Sequence, residues 1–312
     1  MPQLKNNKGG ALLTALFIMT LVAIVATAMS TRLQLDIYRT RLIVTHDKLY
    51  LATQAVTFWA LGELSDKSIQ FTKSTNQGMV AQYPKNMQTL VNPIQLHGEL
   101  YDLQARFNLN NLSDKKYIPV FVNLLSHTGE LANVERVNLA LAIQDWLFDY
   151  DLARGKDIYT SYYLSQKPAY YPSHLLMNSV SEFRLIKDVT PNIYKEVEPY
   201  ITVLPEKTPI NINTASKKVL MSLGNGLTEA QVNELIMARG NEGIKDLKNI
   251  NELSQKTNLP TEQITIDSQY FLNVANASSD EFKITVYTLL KRSRDKNGKI
   301  SVGIIRESIS TF

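Results

Sequence analysis

From Ala11 to Leu61 the chain runs without a proline or a glycine. No other feature restricts the fold as much, because those two residues are what ordinarily bend or end a helix. The front of this run, Ala11 to Met29, is 19 residues long, with Thr14, Thr20 and Thr27 as its only polar members. A helix needs about 20 apolar residues to cross a bilayer at ~1.5 Å rise per residue. A signal-peptide core is shorter, about 7–15 residues. Lys5 and Lys8 precede the segment, which holds that end in the cytoplasm and sends the rest across.

After Met29 the run turns amphipathic without a break. Leu35, Tyr38, Leu42, Leu49, Ala52, Val56 and Trp59 recur at spacings of three, four and seven, a seam at coiled-coil spacing. Arg32, Asp36, Arg39, Arg41, Asp47 and Lys48 take the other faces. The spacing predicts one helix of roughly 75 Å, in lipid over its first half and against protein over its second. Two short signals within it disagree. Gly9–Gly10 marks the front edge, whereas Ala26-Thr27-Ala28 has the form of a secretory cleavage site. Cutting at Ala28 would discard half the helix.

The remaining chain is globular in composition: of 312 residues, 44% are hydrophobic and 20% charged, enough for two moderate domains or one with a large insertion. Of the net charge of +4, Lys5 and Lys8 supply two, so the remainder carries only +2. That is not the concentrated basic excess of a nucleic-acid binder. The absence of cysteine excludes disulfides, a thiol nucleophile and cysteine-ligated zinc, but it does not assign a compartment.

Helix signals stop near Gly62–Asp66, and "SDKSIQFTKSTNQGMVAQYPKN" reads as an irregular connection. "IQLHGELYDLQARFNLNNL" alternates as one or two strands. From Asp114 to about Pro260 the pattern is helical. One helix places Val134, Val137, Leu141 and Phe148 on one side, and "SVSEFRLIK" is a second, entered through Ser with Glu close behind. "QYFLNVANA", "EFKITVYTLLKRS" and "ISVGIIRESIS" are strands, the last two joined by a turn centred on Asn297-Gly298. The fold class is therefore α+β: a long amino-terminal helix and a small antiparallel sheet into which a large α-helical domain is inserted. No long repeat is evident.

Three constellations bear on chemistry. "PININTASKKVLMSLGNGLTEAQVNELIMARG" has the form of a helix-hairpin-helix unit. Asn213 caps a helix ending at Leu223, Gly224-Asn225-Gly226 turns, and Thr228 with Gln231 boxes a second helix that stops at Gly240. DNA-binding versions offer hairpin amides to a phosphate. Here Asn225 replaces the usual apolar residue and Glu229 would repel phosphate, so a structural use is expected and no nucleic acid. The alternative, a membrane-anchored DNA-binding protein, predicts salt-sensitive DNA retention. A secreted hydrolase is a more distant rival and predicts cleavage at Ala28.

"DWLFDYDLARGKDIYTSYY" gathers Asp145, Asp149, Asp151 and Asp157 around Gly155. Alternate carboxylates beside a Gly turn suit calcium, but EF-hand spacing fails because Ala153 and Arg154 stand at its fifth and sixth positions. From spacing alone the segment is either a calcium loop or a solvated acidic turn. Phosphate-binding, nucleophile-elbow and zinc-protease signatures are absent from the sequence. His46, His97, His127 and His174 stand apart from one another as packed or surface residues, and Trp59 and Trp146 read as core. No enzyme is expected.

A short basic leader, a Gly, and an apolar segment continuous with an amphipathic helix form the pattern of type IV pilins and pseudopilins. With "GGALLTALFIM", "ARFNLNNL" (105–112), "DWLFDYD" (145–151), "SVSEFRLIKDVTPNIYKEVEPYITVLPEKTPININTA" (179–215), the hairpin segment and the closing strands, the chain resembles the minor pseudopilin K family of bacterial type II secretion. Pilin-like subunits generally carry Glu at the fifth mature position. Here that position is Ala15, and this family characteristically lacks the Glu. The resemblance implies cleavage by prepilin peptidase between Gly10 and Ala11, and N-methylation of Ala11. It also implies a single-pass inner-membrane anchor with the remainder in the periplasm. Assembly with minor pseudopilins I and J at the pseudopilus tip would support export of folded exoproteins, with Leu35, Tyr38, Leu42, Leu49, Val56 and Trp59 as the partner-helix seam.

In the domain division that follows, 1–10 is a leader, 11–30 the membrane part of the helix and 31–65 its periplasmic half. Residues 66–112 and 266–312 form a pilin-like domain and 113–265 the insertion. Family members bind calcium in that insertion, which points to Asp149, Asp151 and Asp157. The sequence departs from the family, however. The acids follow Trp146 by three and five, Gly155-Lys156-Asp157-Ile158 replaces Gly-x-Glu-Asp, and His174 stands where Asn is common. Calcium is either lost or held by a shifted ligand set, and no other cofactor is implied.

Overall fold

The computed structural model describes residues 10–75, 78–129, 131–148, 159–250, 259–279 and 282–311. One helix, α1 (Gly10–Ser65), takes up the whole proline- and glycine-free run and a few residues more. The strands in chain order are β1 (Met79–Gln82), β2 (Gln95–Asp102), β3 (Phe107–Asn108), β4 (Ile201–Thr202), β5 (Ile210–Asn211), β6 (Ile264–Thr265), β7 (Tyr270–Ser279), β8 (Phe282–Arg294) and β9 (Ile300–Ile309). The further helices are α2 (Ile118–Thr128), α3 (Asn133–Leu147), α4 (Thr160–Leu164), α5 (Pro191–Val197), α6 (Lys217–Ser222) and α7 (Glu229–Arg239).

β1, β2, β7, β8 and β9 lie in that order in one antiparallel sheet. The rear half of α1 covers one face of it. Leu49, Ala52 and Val56 pack on Leu96, Ala275, Ala277 and Val286, and further along Ala60 and Leu64 meet Leu100, Phe271 and Leu290. Helix and sheet approach most closely at Gly98, where an added Cβ would stand 2.2 Å from Val56 Cγ1 and 2.9 Å from Tyr83 Cβ. Only glycine fits there. Arg292 of β8 closes the end of α1 by donating to the Leu64 and Asp66 carbonyls at 2.9 and 3.3 Å. A cation on the last carbonyls suits the negative end of the helix.

The opposite face of the sheet, with Tyr270, Leu272 and Leu289, packs against Leu103 and Leu204. Leu204 belongs to the stretch between β2 and β7, which holds the remaining helices around a large core of its own including Phe121, Trp146, Tyr163, Phe183, Leu220 and Leu235. That core is built on a duplication. Phe107-Asn108-Leu109-Asn110 and Ile210-Asn211-Ile212-Asn213 each open a unit. Each unit closes on an Ile-Thr pair, with β3 parallel to β4 and β5 parallel to β6.

The side chains repeat as well. Asn108 and Asn211 each accept the amide two residues on, at 3.1 and 2.9 Å. Asn110 grips both polar backbone atoms of Met177, at 2.9 and 3.0 Å, and Asn213 grips those of Ile244, at 2.8 and 3.0 Å. A carboxamide carries one acceptor and one donor side, so it pairs with a buried peptide unit as another strand would.

Several local expectations are corrected. Asn213 does not cap a helix. Ser216 caps α6, its hydroxyl accepting from the Val219 amide, because Asn213 is committed to Ile244. "SVSEFRLIK" forms a short 3-10 turn, Val180–Leu185, with the Ser179–Glu182 capping box in place. Helix α3 buries Leu139, Ala142, Ile143 and Trp146 and leaves Val134 and Leu141 exposed, so its core face is not the expected Val134–Leu141 side. The stretch read as wholly irregular contains β1.

Candidate functional site

The feature that stands out of the fold is α1 itself. A helix of 56 residues spans about 84 Å at ~1.5 Å per residue, and its front is exposed on every side from Gly10 to Arg41. The hydroxyls inside the apolar stretch turn back to the helix. Thr14 donates to the Gly10 and Ala11 carbonyls, Thr20 to Phe17 and Thr27 to Ala23, at 2.8–3.1 Å. No side-chain donor of these residues is then left to hydrocarbon, as a spanning helix requires. Ala15 faces outward in this stretch.

The six seam residues divide. Leu49 and Val56 are buried against the sheet, with 2% and 0% exposure. Trp59 is half-buried, edge-on to Tyr83 at 5.6 Å, and its indole N–H donates to Glu63. Leu42 is half-exposed, whereas Leu35 and Tyr38 stand free at 51% and 57% exposure. Leu33, Ile37, Ile43 and Val44, outside the seam, are exposed too. Between residues 33 and 44 the helix therefore exposes Leu33, Leu35, Ile37, Tyr38, Ile43 and Val44 among charged Asp36, Arg39 and Arg41, beyond the reach of its own sheet. Gly10 and Ala11 form the exposed first turn of described helix.

The hairpin between α6 and α7 is turned inward. Its Gly224 amide donates to buried Gln263 at 3.1 Å, the Gly226 amide to the Leu223 carbonyl and the Leu227 amide to the Met221 carbonyl. Lys217, the nearby cation, is held by Glu229. Thr228 and Gln231 form their capping box and α7 ends at Gly240, with φ at +49°. With the Gly224, Gly226 and Leu227 amides used internally and Lys217 held by Glu229, the hairpin is built as a structural turn rather than a phosphate cradle.

Asp149, Asp151 and Asp157 lie outside the described residues, and among the described residues no group of three His, Asp or Glu side chains could hold a metal. The flanks are fixed: Trp146 stands edge-on to Tyr163 at 5.4 Å, and His174 Nδ1 is 2.5 Å from the Phe148 carbonyl. His46 and His97 are exposed and His127 is half-buried; burial and the nearby Lys218 and Arg136 push the His127 imidazole below its usual range.

Asp102 was not singled out from the sequence. Wholly buried at the end of β2, it accepts from the Gln104 amide, Asn211, Thr214 and Ser268 at 2.5–3.0 Å. Burial pushes its carboxyl up, against the pull of those four donors. It ties the sheet to the second Asn-x-Asn unit. A sequence signal existed only in the repeat, since Asp102, Asn108 and Asn211 each accept the amide two residues on.

Residues 105–206 and 210–270 each match the family described as "Type II secretion system (T2SS), protein K". These two segments coincide with the two Asn-x-Asn units. Type II secretion system protein K of Aeromonas hydrophila is 30% identical over 80% of both chains. That of Pseudomonas aeruginosa is 30% identical over 67% of this chain and 63% of its own length. The putative protein K of Escherichia coli K12 is 27% identical over 76% of each. Among solved structures, the GspK-GspI-GspJ complex of enterotoxigenic E. coli contains a similar fold: TM-score 0.69, 18% identity, covering 88% of this chain and 100% of that one.

Proposed function

The chain belongs to the type II secretion system protein K family, and on that premise we propose that it is a non-catalytic minor pseudopilin that initiates and caps the pseudopilus. Its relatives' solved complex joins three subunits, GspK, GspI and GspJ, and we assign minor pseudopilins I and J as partners here. In this reading the precursor sits in the inner membrane with its bulk in the periplasm. Prepilin peptidase cuts between Gly10 and Ala11, and Ala11 is then N-methylated. The insertion, taken as 113–265, blocks further subunits from adding above, in support of folded exoprotein export.

One observation carries this: α1 is continuous from the membrane-length segment to the sheet, with Leu33, Leu35, Ile37, Tyr38, Ile43 and Val44 exposed between the two. A monomer has no use for such a surface, and a fibre of packed helices does. Because the chain has no cysteine, single cysteines at Leu35 and Tyr38 can be paired with cysteines along the helices of I and J. Disulfide-linked complexes from intact membranes are expected. Leu51 and Phe58 are exposed on the rear half of α1, and cross-linking there but never at 35 or 38 would refute the division of the seam.

A further inference from the structure

The sheet has two edges, and they differ in length. β1 is four residues long and carries a register shift between Met79 and Ala81. β9 runs for ten residues, and no described strand lies beyond it. Long open edges pair with other chains unless short strands, bulges or charges prevent it. β9 has one bulge, between the positions facing Leu289 and Leu290, but it keeps apolar residues on display: Ile304, Ile305 and Ile309 are 50%, 48% and 44% exposed. Beside the bulge a cleft of ≈ 220 Å³ opens between edge and insertion, lined by Met177, Pro205, Leu289, Ile305 and Arg306.

Charge along this edge is uneven. At the β8–β9 hairpin Arg294, Lys296 and Lys299 are exposed, and none enters an ion pair among the described residues. Asp295 within the hairpin is occupied by the amides of Asn297 and Lys299. At the far end Glu307 is engaged by the Tyr50 hydroxyl at 2.6 Å. An arriving strand therefore meets net positive charge at the hairpin end, three cations against Asp295, and exposed Ile304, Ile305 and Ile309 farther along, beside Arg306 and Glu307.

We propose that β9 takes up an extended segment of another protein by strand addition, a segment with carboxylates at the end beside the hairpin and alternating apolar residues behind them. Main-chain hydrogen bonds to the open edge supply affinity, the cleft at Ile305 takes one apolar side chain, and the three cations reject basic segments.

The test uses the full chain in detergent and a fluorescent peptide, acetyl-Asp-Glu-Ile-Thr-Val-Thr-Ile-Thr-amide, followed by anisotropy. Saturable binding is expected. It should weaken about tenfold in the Arg294→Glu, Lys299→Glu double variant and return for that variant when the peptide's acidic pair is replaced by two lysines. N-methylation of alternate peptide amides should abolish it. Both substitutions lie on an exposed hairpin, so the fold is not at stake. Absent saturation, indifference to charge reversal, or indifference to N-methylation would each overturn the proposal. So would a chain that doubles its mass and excludes the peptide, since the edge would then belong to a second copy.

Discussion

The two halves of α1 share a backbone and differ in what completes them. Behind Lys48, the helix buries Leu49, Val56, Ala60 and Leu64 on a sheet that fits them closely enough to require Gly98. In front of Lys48, side chains of the same chemistry, Leu33, Leu35, Ile37 and Tyr38, stand exposed, uncovered by any described residue. The sequence pattern is continuous across that boundary, so periodicity shows that a face will be covered without showing by which molecule. The rear half is completed within the fold; the front half is left exposed, which is why the proposed function assigns it to partners.

The comparison is broken most severely at Val56. Val56→Asp places an unpaired carboxylate between helix and sheet and should cost more than about 4 kcal/mol. Urea unfolding of the chain lacking its apolar front would read this as loss of a cooperative transition. Arg292→Met removes the donors that close α1 while keeping the buried stem, and a loss of about 2 kcal/mol is expected by the same assay. The smallest effect sharpens the contrast. Leu35→Asp with Tyr38→Asp should leave unfolding within about 0.5 kcal/mol and still abolish co-purification with I and J from membranes. A matching loss of stability would place those residues in the fold.

What could be read in advance follows the same line. Local chemistry was legible: the limits of α1, the Thr228–Gln231 and Ser179–Glu182 boxes, the stop at Gly240 and the turn at Asn297-Gly298 each depend on residues a few positions apart. So was the α+β arrangement, because strand patterns enclose helical ones. The Asn-x-Asn duplication was not legible. Its partners, Met177 and Ile244, lie 67 and 31 residues away and are gripped through backbone atoms that leave no mark on sequence. β1 was missed for a related reason, since it joins the edge through its backbone and needs no apolar alternation. The face of α3 was misjudged because apolar residues occur on both of its sides and only packing selects one.

The measurement that bears most directly on α1 as a retained anchor and assembly helix is the intact mass of the mature protein, taken from membranes of its host. A chain beginning at Ala11 and carrying about 14 Da for one methyl group is expected. A chain beginning at Met29 or Ser30 would mean that the front half is discarded, and the assignment of α1 to the fibre would fall with it.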